Sequence, residues 1–299
     1  MNAPVVVGDA RGWVGRLELQ IERDGERSLL ARRSHVGPLY VQRPFYPEGP
    51  GLVHFYVLHP PGGVVGGDRL DVSLSLGAGA SALVTTPAAQ KLYRSSGAES
   101  LIETRLALAK GATLEWLPSE TIVFDGARAR QRTSIDLADG AGLIAWEISC
   151  LGRPASGVRF VRGRVALGLD LRREGVPLLV ERLTIEGGSR ALDEAWGYGH
   201  KPIAGTLYAV PRSPGLAPGA PSAAANEPTA SLPELLDKLR SLSPGVGTSH
   251  SVTLLGDALV LRALGDKLEA VRAVLVQAWE LLRPAVIGRK PARPRIWAT

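Results

Sequence analysis

The chain has 299 residues, 45% of them hydrophobic and 21% charged, with a formal net charge of +6. That apolar fraction supports a sizeable core and excludes global disorder. A sole cysteine, Cys150, excludes an intrachain disulfide framework and suits a reducing cytoplasm, and no apolar run reaches the ~18 residues of a membrane span.

Residues 1–9 lack the basic start and long apolar core of a secretory signal. The arginines are scattered and no aromatic-studded nucleic-acid motif accompanies them, so an acidic protein is the expected partner and nucleic acid is not. The 35 glycines and 22 prolines, set among many Val, Leu, Ile and Thr, predict a mainly β protein with a minority of helix.

In chain order, residues 17–21 alternate toward Asp24-Gly25, and Leu29-Leu30 follows, which predicts an opening hairpin. A weak repeat comes next: Leu76-Gly77-Ala78-Gly79-Ala80-Ser81-Ala82-Leu83, Leu108-Ala109-Lys110-Gly111-Ala112-Thr113-Leu114 and Leu137-Ala138-Asp139-Gly140-Ala141-Gly142-Leu143. A strand, a glycine turn and a second strand recurring about every 30 residues predict stacked sheets in a β-helix-like body over residues 1–210. Strands are also expected at 165–171 and 178–185.

Residues 211–230, small, proline-rich and almost uncharged, read as a flexible loop. Residues 231–299 read as helix, hairpin, helix, completing a single domain. Ser231-Leu232-Pro233-Glu234 forms a capping box for a helix over 235–242. A hairpin turns at Gly256-Asp257, and Asp266 with Glu269 caps a helix whose stripe is Leu268, Val271, Leu275, Ala278 and Leu282, with Pro284 as its stop. The basic run Arg289-Lys290-Pro291-Ala292-Arg293-Pro294-Arg295 reads as a solvated tail.

Enzymatic chemistry finds little support. The glycine-rich run His59-Pro60-Pro61-Gly62-Gly63-Val64-Val65-Gly66-Gly67-Asp68-Arg69 lacks the Gly-Lys-Ser/Thr ending of a phosphate loop and reads as a tight turn with Asp68 beside it. The five histidines form no triad motif, and one cysteine without closely spaced histidines makes any metal contact weak or transient.

What remains are carboxylates inside apolar strands: Glu115, Glu147 and Glu181. An isolated carboxylate in a core is costly. Strand alternation can point each at water. Glu147 differs, because Leu143 and Ala145 share its face while Ile144, Trp146 and Ile148 fill the other, a pattern that a water-filled interior reconciles.

Four ordered runs resemble signatures of the UreD (UreH) urease accessory proteins. They are His59-Pro60-Pro61-Gly62-Gly63-Val64-Val65-Gly66-Gly67-Asp68, Thr85-Thr86-Pro87-Ala88-Ala89-Gln90-Lys91-Leu92-Tyr93-Arg94, Leu114-Glu115-Trp116-Leu117-Pro118-Ser119-Glu120-Thr121-Ile122-Val123-Phe124, and Cys150-Leu151-Gly152-Arg153-Pro154-Ala155-Ser156-Gly157. The closing Arg295-Ile296-Trp297 adds to a likeness that runs from residue 13 to 299 and leaves residues 211–230 without a counterpart.

The resemblance implies a cytoplasmic scaffold with no catalytic residues and no cofactor of its own. Such a scaffold binds apo-urease, recruits UreF and, through it, the GTPase UreG, in an accessory complex that can be dimeric. It also implies nickel in transit through an internal passage, with Asp68, Glu147 and Glu181 as its residues. Aspartate is usual at the second position, so Glu147 keeps the charge and lengthens the arm by a methylene. Two rivals stand beside this: a purely structural clamp on urease, and a β-helical enzyme acting on an acidic polysaccharide.

Overall fold

A computed structural model of the chain describes residues 12–212 and 232–298. The opening hairpin pairs β1 (Val14–Asp24) with β2 (Arg27–Val36), turning at Gly25. β3 (Tyr40–Val41) pairs with β4 (Val53–Leu58), and β5 (Gly63–Val64) follows the Pro-Pro-Gly-Gly turn.

The repeated segments then stack. β6 (Arg69–Leu76) turns into β7 (Ser81–Thr85); after the short β8 (Gln90–Leu92), β9 (Ser100–Leu108) turns into β10 (Thr113–Leu117); after β11 (Thr121–Val123), β12 (Arg128–Leu137) turns into β13 (Gly142–Leu151). β6, β9 and β12 run parallel in one layer and β7, β10 and β13 in another.

Each corner needs a backbone that side chains disfavour, and Gly79, Gly111 and Gly140 supply it at φ 67°, 68° and 67°. The corners also bond to one another: the Gly79 N–H donates to the Lys110 carbonyl at 3.0 Å and the Gly111 N–H to the Asp139 carbonyl at 3.1 Å. The β-helix-like stack expected from the repeat is present.

β14 (Arg164–Arg173) extends the first layer in parallel, after which Glu174 and Gly175, at φ 49° and 76°, reverse the chain into antiparallel β15 (Val176–Glu186). After the single turn α1 (Arg190–Asp193), β16 (Ile203–Val210) joins the second layer antiparallel to β13. α2 (Leu232–Arg240), β17 (Thr248–Leu255), β18 (Ala258–Gly265) and α3 (Leu268–Val286) complete the described chain, and β18 pairs with β16. The sheets are seven-stranded, in the order β15-β14-β12-β9-β6-β1-β2, and eleven-stranded, with the main order β17-β18-β16-β13-β10-β7-β4-β3.

Two cores follow from strand alternation. Leu114, Trp116, Leu143 and Ala145 face the first sheet's Leu74, Leu106, Ile135 and Leu171. Ile144, Trp146 and Ile148 face the other way, against Val271, Leu275, Ala278, Trp279 and Leu282 of α3. The helix presses close at Gly205, where an added Cβ would stand 2.8 Å from Val271. β13 is therefore buried on both faces, as the flanks of Glu147 imply.

Several local expectations need correction. Lys267, not Asp266, is the N-cap residue of α3 and makes no side-chain cap bond, while Asp266 accepts from Lys201 at 3.0 Å. α3 also runs through Pro284 to Val286, because a proline in the last turn forfeits a single backbone bond and the Ile287 N–H still reaches the Arg283 carbonyl. α2 ends at Arg240, before the predicted 242. The basic end is no free tail: Arg293 pairs with Glu280 at 2.6 Å, and Trp297 packs 5.2 Å from Trp146 and 5.3 Å from Trp279. From residue 213 on, the expected loop lies outside the described residues, as does Ser231 of the capping box.

Candidate functional site

Between the two sheets lies a cavity of ≈ 330 Å³ whose polar lining includes His59, Gln90, Thr104, Gln131, Thr133 and Glu147. A second cavity of ≈ 70 Å³ is lined by Glu147, Ser149, Glu181, Tyr198, Thr206 and Tyr208 among others. Glu147 and Ser149 border both, so the two spaces adjoin at that point of β13. The wall of the larger cavity is mainly apolar, with Leu70, Val72, Ile102 and Trp116 among its residues, and the polar groups set into it offer partners to the several water molecules its volume accommodates.

Strand register explains the layout. In the first sheet Val72, Thr104, Thr133, Leu169 and Glu181 are cross-strand partners from β6 to β15. In the second, Glu147 is opposite Thr206, and Thr206 is opposite Arg262. Side chains opposite one another on adjacent strands share a face, so each row presents its polar groups to the gap. Thr133 spans that gap, its hydroxyl 2.7 Å from Glu147 Oε1.

Three of the four motifs meet at this cavity. His59, Pro60 and Gly62, then Thr86 to Gln90, then Pro118, Ser119 and Thr121 line it. The second and third are tied together: the Ser119 N–H donates to Thr86 Oγ1 at 2.8 Å and the Ser119 hydroxyl to the Thr86 carbonyl at 3.0 Å. The fourth lies elsewhere, its Leu151, Pro154 and Gly157 lining a separate cavity of ≈ 380 Å³ with His200 and Lys201.

The three carboxylates singled out from sequence differ in surroundings. Asp68 is buried, and both its oxygens are engaged by backbone, accepting from the Trp13 N–H at 2.8 Å and the Val65 N–H at 2.9 Å. It does not line the cavity, but its charge opposes the lowering of the His59 pKa by burial. Glu147 has Thr133 as its hydrogen-bond partner among the described residues, and burial raises its pKa against that bond. Glu181 closes the far end, where Oε2 accepts from the Tyr208 hydroxyl at 3.0 Å and Oε1 is ion-paired with Arg262. The structure thus brings Glu147 and Glu181 to one cavity and leaves Asp68 in the supporting turn.

Glu115, which alternation allowed to point at water, is instead fully buried on the opposite face of the second sheet. Its Oε1 accepts from Trp279 at 2.6 Å and Arg283 at 2.9 Å, and Oε2 accepts from Arg283 at 3.1 Å. Arg283 also makes a fork to Glu48, with both bonds at 2.8 Å, and Glu48 contacts His54 at 3.0 Å. Burial alone would raise the Glu48 pKa, but the bonds from His54 and Arg283, with their charges, hold it at about 2. This network joins α3 to the sheet.

Cys150 offers no soft ligand. Burial, then Glu120 and Glu269, pushes its thiol up to about 11, so it stays protonated near neutrality. Among the described residues no group of three or more His, Cys, Asp or Glu side chains is placed to hold a metal ion, and no helix is long and apolar enough to cross a membrane.

Sequence reasoning missed Thr133, Tyr208 and Arg262. Arg262 carried the same signal as the glutamates, a charge inside the apolar strand Ala258–Gly265. Thr133 and Tyr208 carried none, since a lone hydroxyl in a strand is ordinary.

Comparison with known proteins places this geometry. The family model described as UreD urease accessory protein matches residues 14–298. A urease accessory protein UreD of Alkalilimnicola ehrlichii is 44% identical over 297 residues, covering 99% of this chain and 95% of that protein. Those of Pseudomonas entomophila and Klebsiella aerogenes are 44% and 40% identical, each over 289 residues, covering 96% and 97% of this chain and 95% and 98% of their own.

Proposed function

The chain belongs to the UreD urease accessory protein family and so acts in urease maturation and not as an enzyme, and from that premise we propose that its two adjoining cavities conduct nickel toward apo-urease. The observation that carries this reading is Glu147, an under-coordinated carboxylate at the junction of the ≈ 330 Å³ and ≈ 70 Å³ cavities.

Nickel is here a substrate in transit. A passage needs binding that is favourable yet shallow, and hard oxygen groups met one at a time provide it where a closed cluster of ligands would trap the ion. Thr104, Gln131, Thr133 and Ser149 offer neutral oxygens before and beside Glu147, and Glu181 lies beyond it. Burial disfavours ionised Glu147 while a dication favours the ionised form, so transit quickens as pH rises through the titration of this group. Asp68 serves differently, fixing the turn that carries His59 to the cavity.

The scaffold works in the cytoplasm with apo-urease and UreF, and with UreG through UreF, in an accessory complex that can be dimeric. The lack of a phosphate-loop ending in the glycine-rich run supports this division of labour, since nucleotide hydrolysis is left to a partner.

Co-expression of alanine variants at Asp68, Glu147 and Glu181 with the urease subunits and remaining accessory proteins tests the passage. The expected result is an intact complex with nickel-poor urease, the loss being largest for Glu147→Ala. Intact complexes with normal nickel in all three would leave the structural clamp as the account.

A further inference from the structure

Past the wall of the smaller cavity a cation, Arg262, is paired with Glu181, and we infer that Arg262 is a gate that holds nickel on the Glu147 side until its guanidinium leaves Glu181. This rests on the passage proposed above. Arg262 stands in the same cross-strand row as Glu147 and Thr206, two strands and so about 10 Å from Glu147. It is ion-paired with Glu181, which lines the ≈ 70 Å³ cavity.

With the pair closed, the charge of Glu181 is compensated and each of its oxygens is already engaged. One oxygen is held by Arg262 and the other accepts the Tyr208 hydroxyl, which burial keeps neutral by raising its pKa. An ion arriving from Glu147 meets a fixed positive charge and a carboxylate already neutralised. A positively charged side chain at a constriction excludes cations by this means.

The pair is also built to open. Glu181 is the acceptor the structure gives Arg262 among the described residues, and the arginine side chain is 44% exposed. Burial already disfavours its charge, so a move toward solvent, or toward an acidic group of a protein docked beside it, meets little resistance. A half-exposed ion pair is weak as a structural element. Once the guanidinium leaves, Glu181 becomes a second available carboxylate on the wall of the cavity that Glu147 also lines.

The test measures the initial rate at which nickel, supplied as nickel sulfate, appears in apo-urease within the full accessory complex. Arg262→Gln is expected to raise that rate several-fold, Arg262→Lys to leave it near the parent value, and Glu181→Gln, which strands an uncompensated cation beside the cavity, to lower it several-fold. Arg262→Gln placed on top of Glu181→Gln should restore part of the loss. Opposite signs at the two partners are the signature, because a pair that merely held the fold would shift both in one direction.

An unchanged or lower rate for Arg262→Gln overturns the gate. A parallel Glu147→Ala separates the two ideas: if it blocks loading while Arg262→Gln does nothing, the passage stands without a gate. If Glu147→Ala loads normally, both fall. Melting temperatures within a degree or two of the parent confirm that each variant is folded.

Discussion

Glu115 on β10 and Glu147 on β13 lie on neighbouring strands of one sheet, yet face opposite sides of it and have opposite surroundings. Glu115 enters the core under α3, where three bonds from Trp279 and Arg283 saturate it. Glu147 enters the gap between the sheets, where a single threonine hydroxyl and open cavity meet it. Burial by itself therefore does not mark a functional carboxylate. A saturated one holds elements together, and an unsaturated one beside a cavity is available to a passing ligand.

The sharpest way to break this contrast is Arg283→Met. Removing the shared cation leaves the fully buried Glu115 without a counter-charge and Glu48 with His54 alone, and losing one partner of such a network costs about 3–5 kcal/mol. Denaturant unfolding should show a loss of that size. A loss below about 1 kcal/mol would mean that the network is no stronger than an exposed ion pair.

Acid titration probes the same region more gently. Glu48 is held at about 2 against an ordinary 4.5, so its contribution is complete above the ordinary value and lost as pH falls from 4.5 toward 2. At ~1.4 kcal/mol per pKa unit this amounts to about 3 kcal/mol. Glu48→Gln should flatten the pH dependence of stability across that window, and an unaltered slope would remove Glu48 from the account.

Glu147 has the reverse sign. Its raised pKa means that the folded state favours the neutral form, so ionisation weakens the fold as pH rises beyond the usual carboxylate range. Glu147→Gln should accordingly leave the melting temperature at neutral pH unchanged or slightly higher, a gain of about 1 kcal/mol at most.

Much of this was legible in the sequence, for physical reasons that also set the limit. The Gly-Ala turns announced the stack because a left-handed corner demands glycine once per coil, and the flanks of Glu147 announced two buried faces because strand alternation is strict. The partner of Glu115 was not legible, since Arg283 lies 168 positions away and is brought in by the packing of α3. The same holds for Arg262 and Glu181, 81 positions apart, whose meeting depends on where the two sheets close on each other. Helix ends are less legible, because the capping carboxylate expected at Asp266 is engaged by the distant Lys201, and the N-cap residue of α3, Lys267, makes no side-chain cap bond.

The most direct test of the central claim is the nickel content of urease matured with Glu147→Gln in place of the parent chain. This variant keeps the shape of the side chain and the bond to Thr133 while removing the charge. The account predicts a folded, complex-forming protein of undiminished melting temperature and urease depleted of nickel several-fold. Fully loaded urease from the same complex would contradict it, and would place the path of the metal outside the space between the sheets.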